Sequence, residues 1–347
     1  MDTEAHNKFL PDKAVQLNPL PAAGVLDPAG SNSSGGHIHS CGGGGRRGHK
    51  QQTAPDPTNT VARRALTAKE LMLAVPHARG YSLKLKRWLI LFVDQLSSII
   101  FDQDAFDSLV LANGRKELVR CFVEQHRTGD DFDDVISGKG RGLILLLAGP
   151  PGVGKTLTAE AVSEHLKVPL YIMSAGDLGL DPKEIETTLN TLFAMIQKWN
   201  AIILMDEADV FLEARSTHDL ERNKLVSIFL RVLEYYQGIL FLTTNRISNI
   251  DEAFHSRIHC TLRYAKLPPS SRLLVWKRFL GTDHNLTSGE LEKLARNELN
   301  GRQIKNMVRT SRMLARSEQV SEKPETVKVD TRHIRTVVDI EKENAWE

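Results

Sequence analysis

The stretch "LILLLAGPPGVGKTLTAEAV", residues 143–162, decides how the rest of the chain folds. Its aliphatic run, Leu143 to Leu147, ends in a glycine-rich loop, and helix-forming residues follow at once. A strand without polar alternation has both faces covered, so it belongs inside a sheet flanked by helices. The loop "GPPGVGKT" (Gly149, Pro150, Pro151, Gly152, Val153, Gly154, Lys155, Thr156) has the Gly-x-x-x-x-Gly-Lys-Thr form. The strand before it and the helix after it make that form meaningful. Glycines let the backbone curl until successive N–H groups converge, and the positive end of the following helix adds to them. Such a cradle suits phosphate. Lys155 is expected to reach the β- and γ-phosphates of ATP, and Thr156 to offer its hydroxyl to Mg2+. Leu157, next in the chain, completes the expected binding segment.

Working outward, four more apolar runs alternate with helical stretches: "VPLYIMS" (168–174), "AIILMDE" (201–207), "GILFLTT" (238–244) and "HCTLRY" (259–264). This alternation predicts an α/β fold, a doubly wound parallel sheet, over about 104–265. "DPKEIETTLNTLFAMIQKW" predicts a helix capped by Asp181, with Pro182 at its first position and Glu184 three residues after the cap. Its apolar set is Ile185, Leu189, Leu192, Phe193 and Ile196. In "DLERNKLVSIFLRVLEYYQG" the corresponding set reads Leu225, Ile228, Phe229, Val232 and Tyr236. Beyond Pro268–Pro269 the strand signal stops, and a small helical domain is expected over 266–347.

Residues 1–60 are rich in glycine, serine and proline, and bury too little to offset the entropy of ordering. His37, His39 and His49 therefore read as part of a polar tail rather than as a metal site. Over 61–103, "KLKRWLILFVDQLSSII" is apolar enough to be packed, but its period fits strand and helix equally. It reads as a remnant of an N-terminal module or a linker. The 347 residues carry a formal charge of only +2, which gives no support for a nucleic-acid partner. Three scattered cysteines, Cys41, Cys121 and Cys260, offer neither a disulfide frame nor a zinc site. The opening "MDTEAHNKFL" resembles neither a secretory signal nor a transit peptide, and no apolar run approaches the roughly 20 residues of a membrane span. A soluble intracellular protein is expected.

"IILMDEADVF", residues 202–211, places Asp206 and Glu207 at the end of an apolar run. Asp206 is positioned to hold Mg2+ and Glu207 to polarise an attacking water. Asp209 is expected to cap the turn that follows. The letters Asp-Glu-Ala-Asp also spell the box of an RNA helicase, but three features disagree. The loop carries Pro150–Pro151, the next strand ends in "TTNR" rather than a Ser-Ala-Thr segment, and no second α/β domain of similar size follows.

From about Ala105 to the C-terminus the order of "GPPGVGKT", "LMDEAD", "TTN", "DEAFHSRI" and "NGRQIKN" resembles the AAA-type (AAA+) ATPases. "KGRGLILLLAGPPGVGKTLTAEAV" and "RVLEYYQGILFLTTN" are similar to a group of fungal AAA ATPases. The resemblance implies a P-loop NTPase core with a C-terminal helical lid, ATP and Mg2+ as cofactors, and a homo-oligomer, a hexameric ring. It assigns Asn245 to sensor 1, orienting the attacking water, and Arg302 to sensor 2, reaching the γ-phosphate of its own subunit. It assigns Arg257 to the arginine finger of the neighbouring site. "SRI" departs from the usual two-arginine stretch and is closer to the clamp-loader form, so Arg246 is the reserve candidate. The loop "SAGDLGLD" (174–181) matches the position that faces the ring pore, where Leu178 and Leu180 replace the usual aromatic residue.

Arg302, Lys305, Arg309, Arg312 and Arg316 recur at helical spacing and predict one basic face. It reads as a solvated face or as a contact with acidic surface of the next subunit. The expected function is Mg-dependent ATP hydrolysis that remodels a protein or other macromolecular partner. The alternatives are a clamp-loader-like nucleic-acid remodeller, a nucleotide-dependent scaffold that hydrolyses slowly, and a small-molecule kinase.

Overall fold

The computed structural model describes residues 75–111, 114–128, 141–179, 181–215, 219–246, 249–318 and 328–343, with positions 67, 69 and 72. The histidine-bearing tail over 1–60, Cys41 and Leu180 lie outside these residues. Strands β1 (His77–Ser82) and β2 (Arg87–Phe92) form a two-stranded sheet. The remaining strands form one parallel sheet: β3 (Leu143–Ala148), β4 (Leu170–Ser174), β5 (Ile202–Asp206), β6 (Ile239–Thr244) and β7 (Cys260–Arg263). Their order is β4-β5-β6-β3-β7.

All six residues of β3 are buried, as its unbroken apolar run requires. Leu143, Leu145 and Leu147 share a core with Ala159, Val162 and Leu166 of helix α2 (Lys155–Leu166), and with Val119 and Val123 of α1 (Arg115–Thr128). Ile144 and Leu146 point to the opposite face and are buried there too. The interior strands thus have cover on both sides. The edge strands do not: Ile172 of β4 is 40% exposed although its run reads as fully apolar, and Thr261 and Arg263 of β7 are exposed.

Helix α3 (Pro182–Lys198) begins as its sequence predicts, with the Asp181 side chain accepting from the Lys183 amide at 2.8 Å. Ile185, Leu189, Leu192, Phe193 and Ile196 are all buried. After the short turn of helix α4 (Asp209–Leu212) comes α5 (Leu220–Glu234), where the buried stripe is rotated from the predicted one. Val226, Phe229, Leu230, Val232 and Leu233 are buried, and Leu225 and Ile228 lie at its margin. Apolar residues on both flanks left the helix's orientation undetermined until the sheet selected one face.

The last four helices, α6 (Pro269–Leu280), α7 (Ser288–Arg296), α8 (Gly301–Glu318) and α9 (Thr331–Glu343), enclose a second core. Trp276, Leu280, Ile304, Met307, Val308 and Ile334 form its centre. Thr287 and Glu290 make a reciprocal capping box at the start of α7. The predicted basic face of α8 needs one correction. Arg312 turns back to donate to the Phe279 and Leu280 carbonyls at 2.9 and 3.0 Å, covering the open end of α6. Arg302, Lys305, Arg309 and Arg316 remain exposed.

The segment at 84–100 does not pack throughout, contrary to its composition: Ile90, Ile99 and Ile100 are 67%, 74% and 95% exposed. Tyr81 and Trp88 do pack, their rings lying 5.2 and 6.0 Å from that of Trp199. Lys86 pairs with Asp177 at 2.5 Å. Among the described residues no helix is long and apolar enough to cross a membrane.

A buried carboxylate fixes the run between β6 and β7. Asp251 accepts from Arg215 Nε at 2.8 Å and from the Ala253 amide at 2.9 Å, and its own N–H donates to the Leu212 carbonyl at 2.8 Å. Burial pushes its pKa up, but the Arg215 guanidinium and these amides outweigh burial and hold it below the usual carboxylate range. A depressed carboxylate stabilises the fold above its unfolded pKa of about 4, and the contribution is lost as pH falls through the folded value. Asp251→Asn is therefore expected to cost about 1–3 kcal/mol near neutrality, with variant and wild type converging in acid. Urea melts between neutrality and pH 3 check this.

Candidate functional site

Parallel strands in the order β5-β6-β3 bring their carboxyl ends to one edge of the sheet, where ligands of such folds bind. The glycine-rich loop leaves β3 there, Asp206 ends β5, and Asn245 follows β6. Gly154 has φ +102°, a left-handed conformation that lets the loop turn directly into α2.

Lys155, the first residue of α2, is buried. Its ammonium donates to the Gly149 carbonyl at 2.7 Å, the Pro150 carbonyl at 2.8 Å and Asn245 Oδ1 at 2.8 Å. Burial lowers its pKa, and the nearby carboxylates of Asp206 and Asp209 oppose that shift without cancelling it. Thr156 Oγ1 lies 3.3 and 3.4 Å from the two carboxylate oxygens of Asp206.

Two threonines absent from the sequence-based candidates organise the acidic side. Thr243, buried on β6, donates to Asp206 Oδ1 at 2.5 Å and accepts the Glu207 N–H at 2.9 Å. Glu207 is held at φ +54°, an unfavourable conformation for a side chain of its kind, and its carboxylate is exposed. Thr244 donates to the Asp209 carboxylate and accepts the Arg246 N–H at 2.9 Å. Asp209 is thus not the cap that its position suggests: Ala208 precedes α4, and the Asp209 side chain binds the neighbouring strand. The signal was present in "TTN", whose adjacent hydroxyls meet the two acids of "DEAD" across one strand pair.

Lys155 contacts Asn245, its chain neighbour Thr156 contacts Asp206, and Glu207 is tied to Asp206 through Thr243. Arg302, exposed in the first turn of α8, is close enough to weigh on the Lys155 charge. Leu157 is 52% exposed. Arg257 is engaged elsewhere. Its guanidinium donates to Glu234 Oε1 at 2.8 Å, the Ala253 carbonyl at 2.9 Å and the Leu230 carbonyl at 3.2 Å. Arg246 is exposed and stands 4.0 Å from Glu213. Leu178, a candidate for the pore-facing loop, is buried.

The oxygens of Thr156 and Asp206 form the small, hard pair with which Mg2+ is held when phosphates and water complete its shell. Among the described residues no group of three His, Cys, Asp or Glu side chains could hold a metal alone. The residues present therefore fit a phosphate-bound Mg2+ rather than an all-protein metal site.

A parallel sheet whose central strand feeds such a loop, with an acid closing the strand two positions away, defines the P-loop nucleotide-binding fold. Residues 145–264 match the ATPase family associated with various cellular activities (AAA), and residues 282–344 match the fungal AAA+ ATPase lid domain. The chain belongs to the AAA ATPases. It is 30% identical over 172 residues, 47% of its length, to human ATPase family AAA domain-containing protein 3B. It is 33% identical over 162 residues, 44% of its length, to Fidgetin-like protein 1 of Caenorhabditis briggsae. These matches span 25% and 27% of the relatives' own lengths. A crystal structure of the FIGL-1 AAA domain in complex with ADP superposes with a TM-score of 0.53 at 22% identity. That superposition covers 70% of this chain and 86% of the other, and it establishes likeness of fold.

Thr243→Val, close in shape, removes both the acceptor for the Glu207 amide and the donor to Asp206. A buried amide left unpaired costs about 1–3 kcal/mol, and Thr243→Ser, which keeps the hydroxyl, is expected to cost less. Thermal melts of the two variants measure the difference.

Proposed function

We propose that this chain binds ATP with Mg2+ and hydrolyses it, using subunits assembled in a ring, to remodel a macromolecular partner. The observation that carries the reading is the convergence of Lys155, Thr156, Asp206 and Asn245 at three adjacent strand ends, with Glu207 fixed beside them. The amides of Gly152, Val153 and Gly154 and of the first turn of α2, Lys155 to Leu157, serve the phosphates, and Lys155 supplies the positive charge. Pro150 and Pro151 have no N–H, and Gly149 donates its own to the Thr244 carbonyl at 3.1 Å. Thr156 and Asp206 would hold Mg2+, which when bound neutralises charge between the β- and γ-phosphates.

Glu207 accepts a proton from the attacking water, and its unfavourable backbone conformation serves to aim the carboxylate. The Asn245 amide orients that water. Its Oδ1 already accepts from Lys155, so the amide nitrogen is the end left for the water. Arg302 meets the γ-phosphate from the lid. Arg257 completes the neighbouring subunit's site, and the carboxylate that holds it within its own chain, Glu234, must yield it to the phosphate on assembly. The family's oligomeric habit and the position of Arg257 on the turn after β6, away from its own loop lysine, support the trans role.

Three variants test the reading. Lys155→Ala is expected to abolish nucleotide binding. Glu207→Gln is expected to retain ATP while losing about 100-fold or more in phosphate release, the usual range for removing a general base. Arg257→Ala is expected to be inactive alone yet to regain partial turnover when mixed with Glu207→Gln, because both groups are intact at those interfaces where the Arg257→Ala subunit supplies the acid and the Glu207→Gln subunit the arginine. Undiminished turnover by Glu207→Gln would remove the hydrolytic assignment, and absence of complementation would remove the trans role.

A further inference from the structure

The first turn of α8 is bonded directly to the phosphate loop. The Gly301 N–H donates to the Gly152 carbonyl at 2.8 Å. Beside it the Asn300 carboxamide is pressed against the α-carbon of Gly152, where an added Cβ would lie 2.7 Å from Asn300 Cγ and Oδ1. Gly152 has φ +75°, so position 152 tolerates a side chain neither by conformation nor by space. Asn300 is itself fixed. Its N–H donates to Gln303 Oε1 at 2.9 Å while its Oδ1 accepts the Gln303 N–H at 2.8 Å, a reciprocal cap at the start of α8.

The consequence follows from peptide geometry. The chain has no cis peptide among its described residues, so the Gly152 carbonyl and the Val153 N–H point in opposite directions across one plane. With the carbonyl anchored to Gly301, the Val153 N–H is turned away from α8 and cannot rotate without breaking that bond. One hydrogen bond from the helical domain thus sets the direction of one donor in the phosphate loop. A helix that starts with a free N–H normally satisfies it with a side chain or water. Here the acceptor is a carbonyl of the loop itself.

We propose that Asn300 and Gly301 form a latch, positioning residues for the phosphate loop, and that displacement of α8 frees the Val153 amide and speeds release of the bound nucleoside diphosphate. The latch rests on the assignment of an ATP site to this loop. It makes the movement of the helical domain and the loosening of the loop a single event. Arg302, one residue further on, would then move with the same turn and leave the phosphates together with the amide.

The test measures dissociation of a fluorescent ADP from the full chain by stopped flow, chased with unlabelled ADP. Asn300→Ala removes both the cap and the wedge against Gly152, whereas Gln303→Ala weakens the cap but leaves the wedge. Gly301→Pro deletes the donor at a helix position where proline is well tolerated, and its ring fills the space of the bond. Asn300→Ala and Gly301→Pro are each expected to speed release about five- to tenfold, the scale of one lost hydrogen bond, while Gln303→Ala changes it less than about twofold. Thermal melts establish that each variant is folded. Equal rates for Asn300→Ala and Gln303→Ala would reduce the contact to an ordinary helix cap, and an unchanged rate in folded Gly301→Pro would overturn the latch. Failure of the wild-type chain to bind the labelled ADP would instead overturn the site, and the latch with it.

Discussion

Lys155 carries a positive charge into a position where little water reaches it, and the surrounding architecture is arranged to tolerate that charge. Three acceptors hold the ammonium: two carbonyls of the loop after β3 and the side-chain oxygen of Asn245 after β6. Burying an ammonium without partners costs several kcal/mol, so this lysine is stable only if β3 and β6 stand side by side in parallel. They pair from Leu143↔Ile239 to Ala148↔Thr244, and a slip by one residue would carry Asn245 out of reach and turn every side chain on β3 to the wrong face. The charge and the sheet register thus require each other. The loop curls tightly enough for two successive carbonyls to meet one nitrogen.

The acids on β5 depend on β6 in the same manner. Met205 pairs with Leu242, which puts Asp206 beside Thr243 and lets one hydroxyl serve both the aspartate oxygen and the next residue's amide. A positive φ at a glutamate is unfavourable by about 1–3 kcal/mol and persists only where its surroundings enforce it. Thr243 supplies much of that enforcement, and the hydrogen bond from Ala208 N–H to the Thr243 carbonyl at 2.9 Å supplies more. An unfavourable backbone conformation is thus held at a residue whose side chain is exposed. Asp206 and Asp209 are drawn back onto threonines instead.

The parallel sheet, its strands and the converging loop, lysine and aspartate were legible because each depends on short-range pattern. An all-apolar run, a glycine-rich turn and a helix start are local, and their order fixes topology once parallel pairing is inferred. What stayed hidden depends on partners distant in sequence. Arg312 fits the basic stripe of α8 by spacing, but α6 happens to end beneath it and offers two carbonyls. Leu225 and Val226 are equally apolar, and only the contact surface decides between them. The edge position of β4 cannot be read from "VPLYIMS", since strand order is a property of the whole sheet. Asp209 looked like a cap because caps are common there, and the Thr244 hydroxyl, outside any window around it, claimed its carboxylate instead. Ile90, Ile99 and Ile100 show the converse limit: apolar composition states that burial would be favourable, not that a partner surface is supplied by the same chain.

The position of Arg257 is the remaining element, and it too is set by packing rather than by the arginine. Its turn starts at Asp251, whose carboxylate holds the Ala253 amide and the Arg215 side chain, and whose N–H reaches the Leu212 carbonyl at the end of α4. Helix α4 begins two residues after Glu207. Ala253 then accepts from Arg257 itself. A short chain of backbone and carboxylate contacts therefore runs from the acid at the end of β5 to the arginine on the far turn. Those contacts join the end of α4 to the turn that carries Arg257. The hydrogen bonds that keep Asp251 ionised and buried hold that series of contacts together, and the glutamate with its unfavourable φ stands at the other end.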